Sequence, residues 1–169
     1  MINKKNILHD LKKLQKEFDK SVKNGDISMP KFYSKICVLE LAGWIEESFD
    51  AIANRAIKNL KNGTPVSDSA RSVISNTYGF TYKKYFRPMM MSLIGAVNYA
   101  NLEELLESNG DLAILVSELD TLNTLRVKAA HVHLASTAIN FDAPSVTLQR
   151  LNKIHPIIKR IYSWVVNHT

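Results

Sequence analysis

Apolar side chains recur at alternating steps of three and four residues through most of this chain, the spacing of one face of an α-helix. The clearest run comprises Leu112, Leu115, Leu119, Leu122, Arg126, Ala129 and His133. No segment shows the strict alternation of apolar and polar residues that indicates a half-buried strand, and the sequence has no internal repeat. The chain is therefore predicted to be all-α.

Helical patterns of this kind lie at 7–22, 36–60, 102–106, 112–133 and 146–165, and shorter helices are predicted near 67–74 and after Pro88. The connections are mostly short, which favours antiparallel neighbours. Because no Gly-, Pro- or Ser-rich linker divides the 169 residues, 1–169 is predicted to form one domain. The expected fold is an antiparallel bundle of four to five main helices with short extra helices.

Glycine, proline and capping residues indicate where these helices begin and end. Asn24-Gly25 should end the first helix, and Gly63-Thr64-Pro65 the second. Ser67 or Ser69 is a candidate cap for a short helix. Asp111 is a candidate N-cap for the helix of the clearest run, and Asn123-Thr124 offers a second start, which would put Arg126 in a first helical turn.

The composition favours a cytoplasmic globular protein. The longest nearly apolar run, 89–99, is too short to span a membrane, and no signal-type apolar region follows the N-terminus. The one cysteine, Cys37, lies within a helical apolar pattern and is predicted to be a small core residue.

Charge is unevenly distributed along a chain of net charge +6, a balance that permits an anionic partner such as nucleic acid. Residues 1–35 carry nine lysines against four acids, whereas 101–125 carries six acids and no Lys or Arg. In the last helix Arg150, Lys153 and Arg160 are predicted to form a solvated polar face, with a basic stripe for RNA phosphates as the alternative. Bases and rings lie together at 83–87, which favours an ordinary loop with core-packing aromatics, with binding of single-stranded RNA as the alternative.

Two segments carry a resemblance to a known family. A long helix with 38–49 (VLELAGWIEESF) is followed by a late helix with 122–131 (LNTLRVKAAH) and then by one more helix. This order resembles the HEPN superfamily, most closely its RiboL-PSP-HEPN and MAE-type domains. The resemblance implies an all-α, usually dimeric domain, often a metal-independent RNA endonuclease of toxin-antitoxin or phage-defence systems. The family's Arg-x4-His pair falls on Arg126 and His131, and His133 fits its Arg-x6-His form.

These residue types suit RNA cleavage without a metal or cofactor. A base must take the proton of the 2′-hydroxyl as that oxygen attacks phosphorus, and an imidazole, with an unperturbed pKa of about 6.5, can do so near neutral pH. His131 or His133 is the candidate base or acid, and Arg126 would hold the phosphate and stabilise its developing charge. The partners expected are RNA, a second copy of the chain and an antitoxin or other protein. A His131-x-His133 metal site is not expected, because two residues apart on a helix the imidazoles diverge by about 200°.

Two alternatives remain open. The residue after the motif arginine is often polar in active HEPN members but is Val127 here, which leaves a catalytically inactive module that binds RNA or protein. In an unrelated bundle, Arg126 and His133 would be structural.

Glu46 and Glu47 could direct a carboxylate toward the motif to orient a histidine, although a solvated helix face is the simpler interpretation.

Overall fold

The computed structural model describes residues 2–131 and 141–169, and within these ranges every regular element is helical. The elements are α1 (Lys5–Lys23), α2 (Met29–Ala56), α3 (Pro65–Ser75), a π-helical turn (Tyr82–Phe86), α4 (Arg87–Ile94), α5 (Ala96–Ser108), α6 (Asp111–His131) and α7 (Pro144–His168). The prediction of an all-α chain is confirmed.

The four long helices, α1, α2, α6 and α7, pack together, with α2 against the other three. α6 and α7 are antiparallel, since Asp111 at the start of α6 pairs with Arg160 late in α7. α2 and α7 run parallel, because the Trp44 and His155 rings are 6.1 Å apart and, further along both helices, Arg55 donates to the carbonyl of Val166. Two helices adjacent in the chain, α6 and α7, are thus antiparallel, while the bundle also brings the parallel helices α2 and α7 together.

The core lies along the apolar face of α2. Its fully buried side chains include Leu41, Ile45 and Ile52, spaced by four and seven residues as one helical face requires. Cys37 is buried on this face. The sequence interpretation of Cys37 as a core residue is therefore confirmed.

Several helix ends differ from the sequence predictions. α2 stops at Ala56, not near Gly63, because the chain tightens and the N–H of Lys58 donates to the carbonyl of Arg55 at 3.3 Å. The cap of α3 is Thr64, whose hydroxyl accepts from the N–H of Ser67 at 3.2 Å.

α6 runs without a break through the second start proposed at Asn123-Thr124. The reason is local: the Thr124 hydroxyl donates to the carbonyl of Asp120, one turn earlier, at 3.0 Å and so does not cap a new helix. Arg126 therefore lies far inside α6, and its placement in a first helical turn is wrong.

Candidate functional site

Arg126 lies on the face of α6 that packs into the bundle, in line with the buried Leu122 and Ala129, as the spacing predicts. Its guanidinium extends from this seam to solvent, with 41% of the side chain exposed. Nη2 of Arg126 lies 3.4 Å from Oε1 of Glu46 on α2. A permanently charged group is thus held between two long helices while part of it stays open to a ligand.

His131 is the last residue of α6 and is exposed. Five residues separate it from Arg126, which on an ideal helix corresponds to about 140° of rotation and about 7.5 Å of rise. His131 is not among the described residues that line the cavity beside Arg126. Within one chain, the arginine and this histidine thus occupy neighbouring but different surfaces. His133 lies outside the described residues.

Glu46 is the residue that the sequence placed least well. The sequence predicts a solvated position for it, or a role in orienting a histidine, whereas in the structure its carboxylate pairs with Arg126. One signal was present in the sequence: Glu46 follows the core residue Ile45, and a cation in the seam of one helix favours an acid beside the core stripe of another.

A cavity of about 380 Å³ opens beside Arg126, a volume within the usual range of small-molecule sites. It is lined by Glu46, Phe49, Asp50, Ile74, Ser75, Thr77, Tyr78, Gly79, Met89 and Arg126. The cavity therefore combines apolar walls with hydroxyls, two carboxylates and one guanidinium. Partial burial, with the negative charge of Glu47, raises the pKa of the Asp50 carboxyl above its ordinary value.

The loop that carries Tyr78 is fixed by its neighbour Gly79. Gly79 has φ +129°, a conformation that side-chain-bearing residues rarely adopt, and a Cβ there would lie 2.7 Å from Cε2 of Tyr85. Glycine therefore lets the loop lie against the Tyr85 ring. Tyr78 projects from this loop with 76% of its surface exposed at the mouth of the cavity.

A buried hydrogen-bonded network anchors the segment that follows this loop. The Tyr99 hydroxyl donates to the Tyr82 hydroxyl at 2.6 Å, and Tyr82 donates to Glu103 at 3.1 Å. Arg87 completes the network with a 2.5 Å ion pair to Glu103. Because Tyr82 and Arg87 belong to the π-helical turn and the start of α4, the network ties both elements to α5.

The basic side chains of α7, predicted to lie on a solvated face or, alternatively, to form a stripe for RNA, are paired with acids of the same chain. Arg150 and Lys153 donate to the two carboxylate oxygens of the buried Glu118 at 2.6 and 2.7 Å, and Arg160 pairs with Asp111. The acidic segment of α6 therefore serves as the partner of α7, which removes the stripe as a free surface for RNA phosphates. Basic side chains do line an open groove along α1, formed in part by the exposed Lys12, Lys16, Lys20 and Lys23.

The aromatic and basic residues at 83–87 divide between core and surface. Phe86 is buried, with its ring centroid 4.2 Å from that of Phe49. Lys84 lies over the Tyr85 ring at 5.0 Å, and Arg87 is paired with Glu103. Of the two interpretations, core packing describes Phe86, and no free stack of rings and bases extends along this segment.

The described residues contain no group of three His, Cys, Asp or Glu side chains arranged to hold a metal ion. No helix within 2–131 or 141–169 combines the length and apolar character needed to cross a bilayer. The chemistry that the cavity can support comes from the Arg126 guanidinium, a hydrogen-bond donor, and the carboxylates of Glu46 and Asp50, which are acceptors. The chain matches no family model, no curated protein and no solved structure.

Proposed function

We propose that this protein is a metal-independent RNA endonuclease of the HEPN type, acting in toxin or defence biology, with a composite site built by two copies of the chain. Arg126 and His131 of both copies would line the site, and His133 is the alternative histidine. The observation that carries the proposal is the Arg126 guanidinium, held by Glu46 in a packed seam yet open to solvent beside a cavity.

Arg126 has the role of holding the phosphate. Its planar guanidinium can donate several hydrogen bonds in fixed directions, and the ion pair with Glu46 keeps it beside the cavity. A donor held in place needs little rearrangement as negative charge develops on the phosphate oxygens. One good donor of this type contributes roughly 3 to 4 kcal/mol to transition-state stabilisation in other enzymes.

His131 has the role of moving protons, as the base toward the 2′-hydroxyl or the acid toward the leaving 5′-oxygen. Its exposed position at the end of α6 leaves the ring accessible to RNA. Because Arg126 and His131 diverge by about 140° on one helix, one chain does not direct both groups at a single phosphate. In a dimer, the second copy would direct its own histidine at the phosphate held by Arg126. The lysines of α1 would attract RNA phosphates at long range.

The test compares purified variants on mixed RNA in EDTA. We expect wild-type cleavage to fall by about a hundredfold or more in Arg126→Ala, because loss of one transition-state donor has an effect of this size. Of His131→Ala and His133→Ala, the variant that removes the catalytic histidine should lose cleavage activity by about a hundredfold or more, and this loss identifies the histidine. His9→Ala, an exposed histidine on α1, is the matched control and should cleave like wild type. Absence of cleavage by folded wild-type protein would overturn the proposal.

A second candidate function is a catalytically inactive module that binds RNA or protein. The observation that favours it is Val127, the residue after Arg126, whose apolar side chain is 47% exposed and so available to a protein surface. Light scattering separates the two functions cheaply. The nuclease proposal predicts a dimer, whereas a strict monomer that binds RNA without cutting it would support the module.

A further inference from the structure

The cavity beside Arg126 contains a carboxylate that the ion pair does not use. Glu46 is engaged by Arg126, whereas Asp50, one helical turn later on α2, forms no ion pair with any residue that the structure describes. Asp50 is an exposed residue at the cavity, on the same face of α2 as Glu46, so its carboxylate is an accessible acceptor for a ligand that brings N–H donors.

We infer that this cavity binds a guanine base of the RNA, next to the phosphate held by Arg126. The inference rests on the proposed function and adds to it the base that the site selects.

Hydrogen-bond chemistry favours guanine among the four bases. Guanine carries two adjacent N–H donors, on N1 and N2, which match the two oxygens of one carboxylate, here Asp50. Adenine and cytosine offer one amino group each beside a ring nitrogen acceptor, and the N3–H of uracil is flanked by carbonyl oxygens that a carboxylate repels. Recognition of an unpaired base by its Watson–Crick edge is the usual way in which proteins read single-stranded RNA.

The walls and mouth of the cavity suit a flat ring. Phe49, Ile74 and Met89, which belong to the buried core, form the apolar part of its lining, and Tyr78 lines it as an exposed ring. Bases stack on exposed aromatic side chains of this kind, and each stack contributes roughly 1 to 3 kcal/mol. The loop that carries Tyr78 needs glycine at position 79, since a Cβ there would clash with the Tyr85 ring.

Arg126 joins this base site to the proposed chemistry. The same guanidinium borders the cavity and pairs with Glu46 at its edge. A nucleotide with its base in the cavity would therefore bring its phosphate to the arginine. Guanine selection and phosphate binding are thus assigned to opposite ends of one nucleotide.

Isothermal titration with the four nucleoside 3′-monophosphates tests the inference directly. In wild-type protein, guanosine 3′-monophosphate should bind about tenfold or more tightly than the other three, the size expected of a good bidentate contact to a base. Asp50→Asn should abolish this preference, and Tyr78→Ala should weaken all four by about tenfold. Asp120→Asn, an exposed acid on α6 outside the cavity, is the matched control and should bind like wild type. Equal affinity for the four nucleotides, or a preference that survives Asp50→Asn, would overturn the inference.

Cleavage sites distinguish failure of this inference from failure of the proposed function. If wild-type protein cuts RNA in EDTA with guanine on one side of the cut, and Asp50→Asn cuts without that preference, both stand. Cleavage without base preference contradicts the guanine site alone. Selective binding of guanosine 3′-monophosphate without any cleavage contradicts the nuclease and leaves the base site in place.

Discussion

Individual side chains in this protein take their chemical character from their packing. Burial, assisted by the nearby Glu40 carboxylate, raises the pKa of the Cys37 thiol to about 12. The thiol therefore stays protonated near neutral pH, and thiolate chemistry is closed to it. For Arg126, packing has the opposite consequence, because the seam holds the stem of the side chain while its charged end remains open.

His155 gives a pH-dependent prediction at the residue scale. Partial burial, followed by the charges of Lys4 and Lys159, lowers the pKa of His155 below its ordinary value. The unfolded chain then binds this proton more readily than the native state, so stability rises with pH across this range. The contribution should be complete above about pH 6.5, the pKa of a free imidazole, and be lost as the pH falls below that value.

Thermal unfolding of wild type and His155→Phe at several pH values checks this sign. Phe keeps a ring beside Trp44, which the native histidine ring approaches to 6.1 Å, and removes the titration. We expect the decrease in Tm between about pH 7.5 and about pH 5.5 to be smaller in His155→Phe than in wild type. His9→Gln, at an exposed position, should keep the wild-type slope. Identical slopes for wild type and His155→Phe would contradict the assignment.

At the scale of elements, α6 and α7 are joined by charge as well as by apolar contact. Glu118 is buried and receives both Arg150 and Lys153. We expect Glu118→Gln to lower the free energy of unfolding by about 2 kcal/mol, because it removes the closer and more buried of the two acidic partners of Arg150 and leaves only the 3.4 Å pair with Asp142.

Urea unfolding measures this loss as a lower midpoint at an unchanged m-value. Glu107→Gln, on the exposed surface of α5, removes the same charge without such a partner and should change stability by less than about 0.5 kcal/mol. Equal effects of the two substitutions would show that the buried pair adds nothing specific.

Sequence periodicity predicted the helices better than their partners. The three- and four-residue spacing identified the face of α6 that holds Leu115, Leu119 and Leu122, all of which are buried. The pairing of Glu46 with Arg126 depends on how α2 and α6 pack, a property that no local pattern encodes. For the same reason the sequence predicted a solvated face or a basic stripe for the cations of α7, whereas folding pairs Arg150 and Arg160 with acids of α6.

The cavity was also beyond sequence reasoning. Its lining comes from α2, α3, α4, α6 and the 77–79 loop, so its residues are widely separated along the chain. Gly79 and Tyr78 lie in a segment without periodicity, where the sequence indicated only irregular structure. A site assembled from so many elements becomes apparent only in the folded protein.

For the whole molecule, the fold redistributes the net charge of +6. Two acids from the acidic middle of the sequence pair with arginines of α7, while lysines along α1 stay exposed. The lysines of α1 form one exposed basic surface, separate from Arg126, whose guanidinium lies beside the cavity. In the proposed function, the first would attract RNA at long range and the second would hold one phosphate.

The most direct test of the proposed chemistry is the identity of the RNA ends that wild-type protein creates in EDTA. A 2′-hydroxyl attack assisted by histidine and arginine predicts a 2′,3′-cyclic phosphate on one fragment and a 5′-hydroxyl on the other. Mass spectrometry of a short defined RNA containing each base resolves these ends from the alternative pair. Fragments with 3′-hydroxyl and 5′-phosphate ends, or cleavage that appears only when a divalent metal is added, would contradict the proposed mechanism.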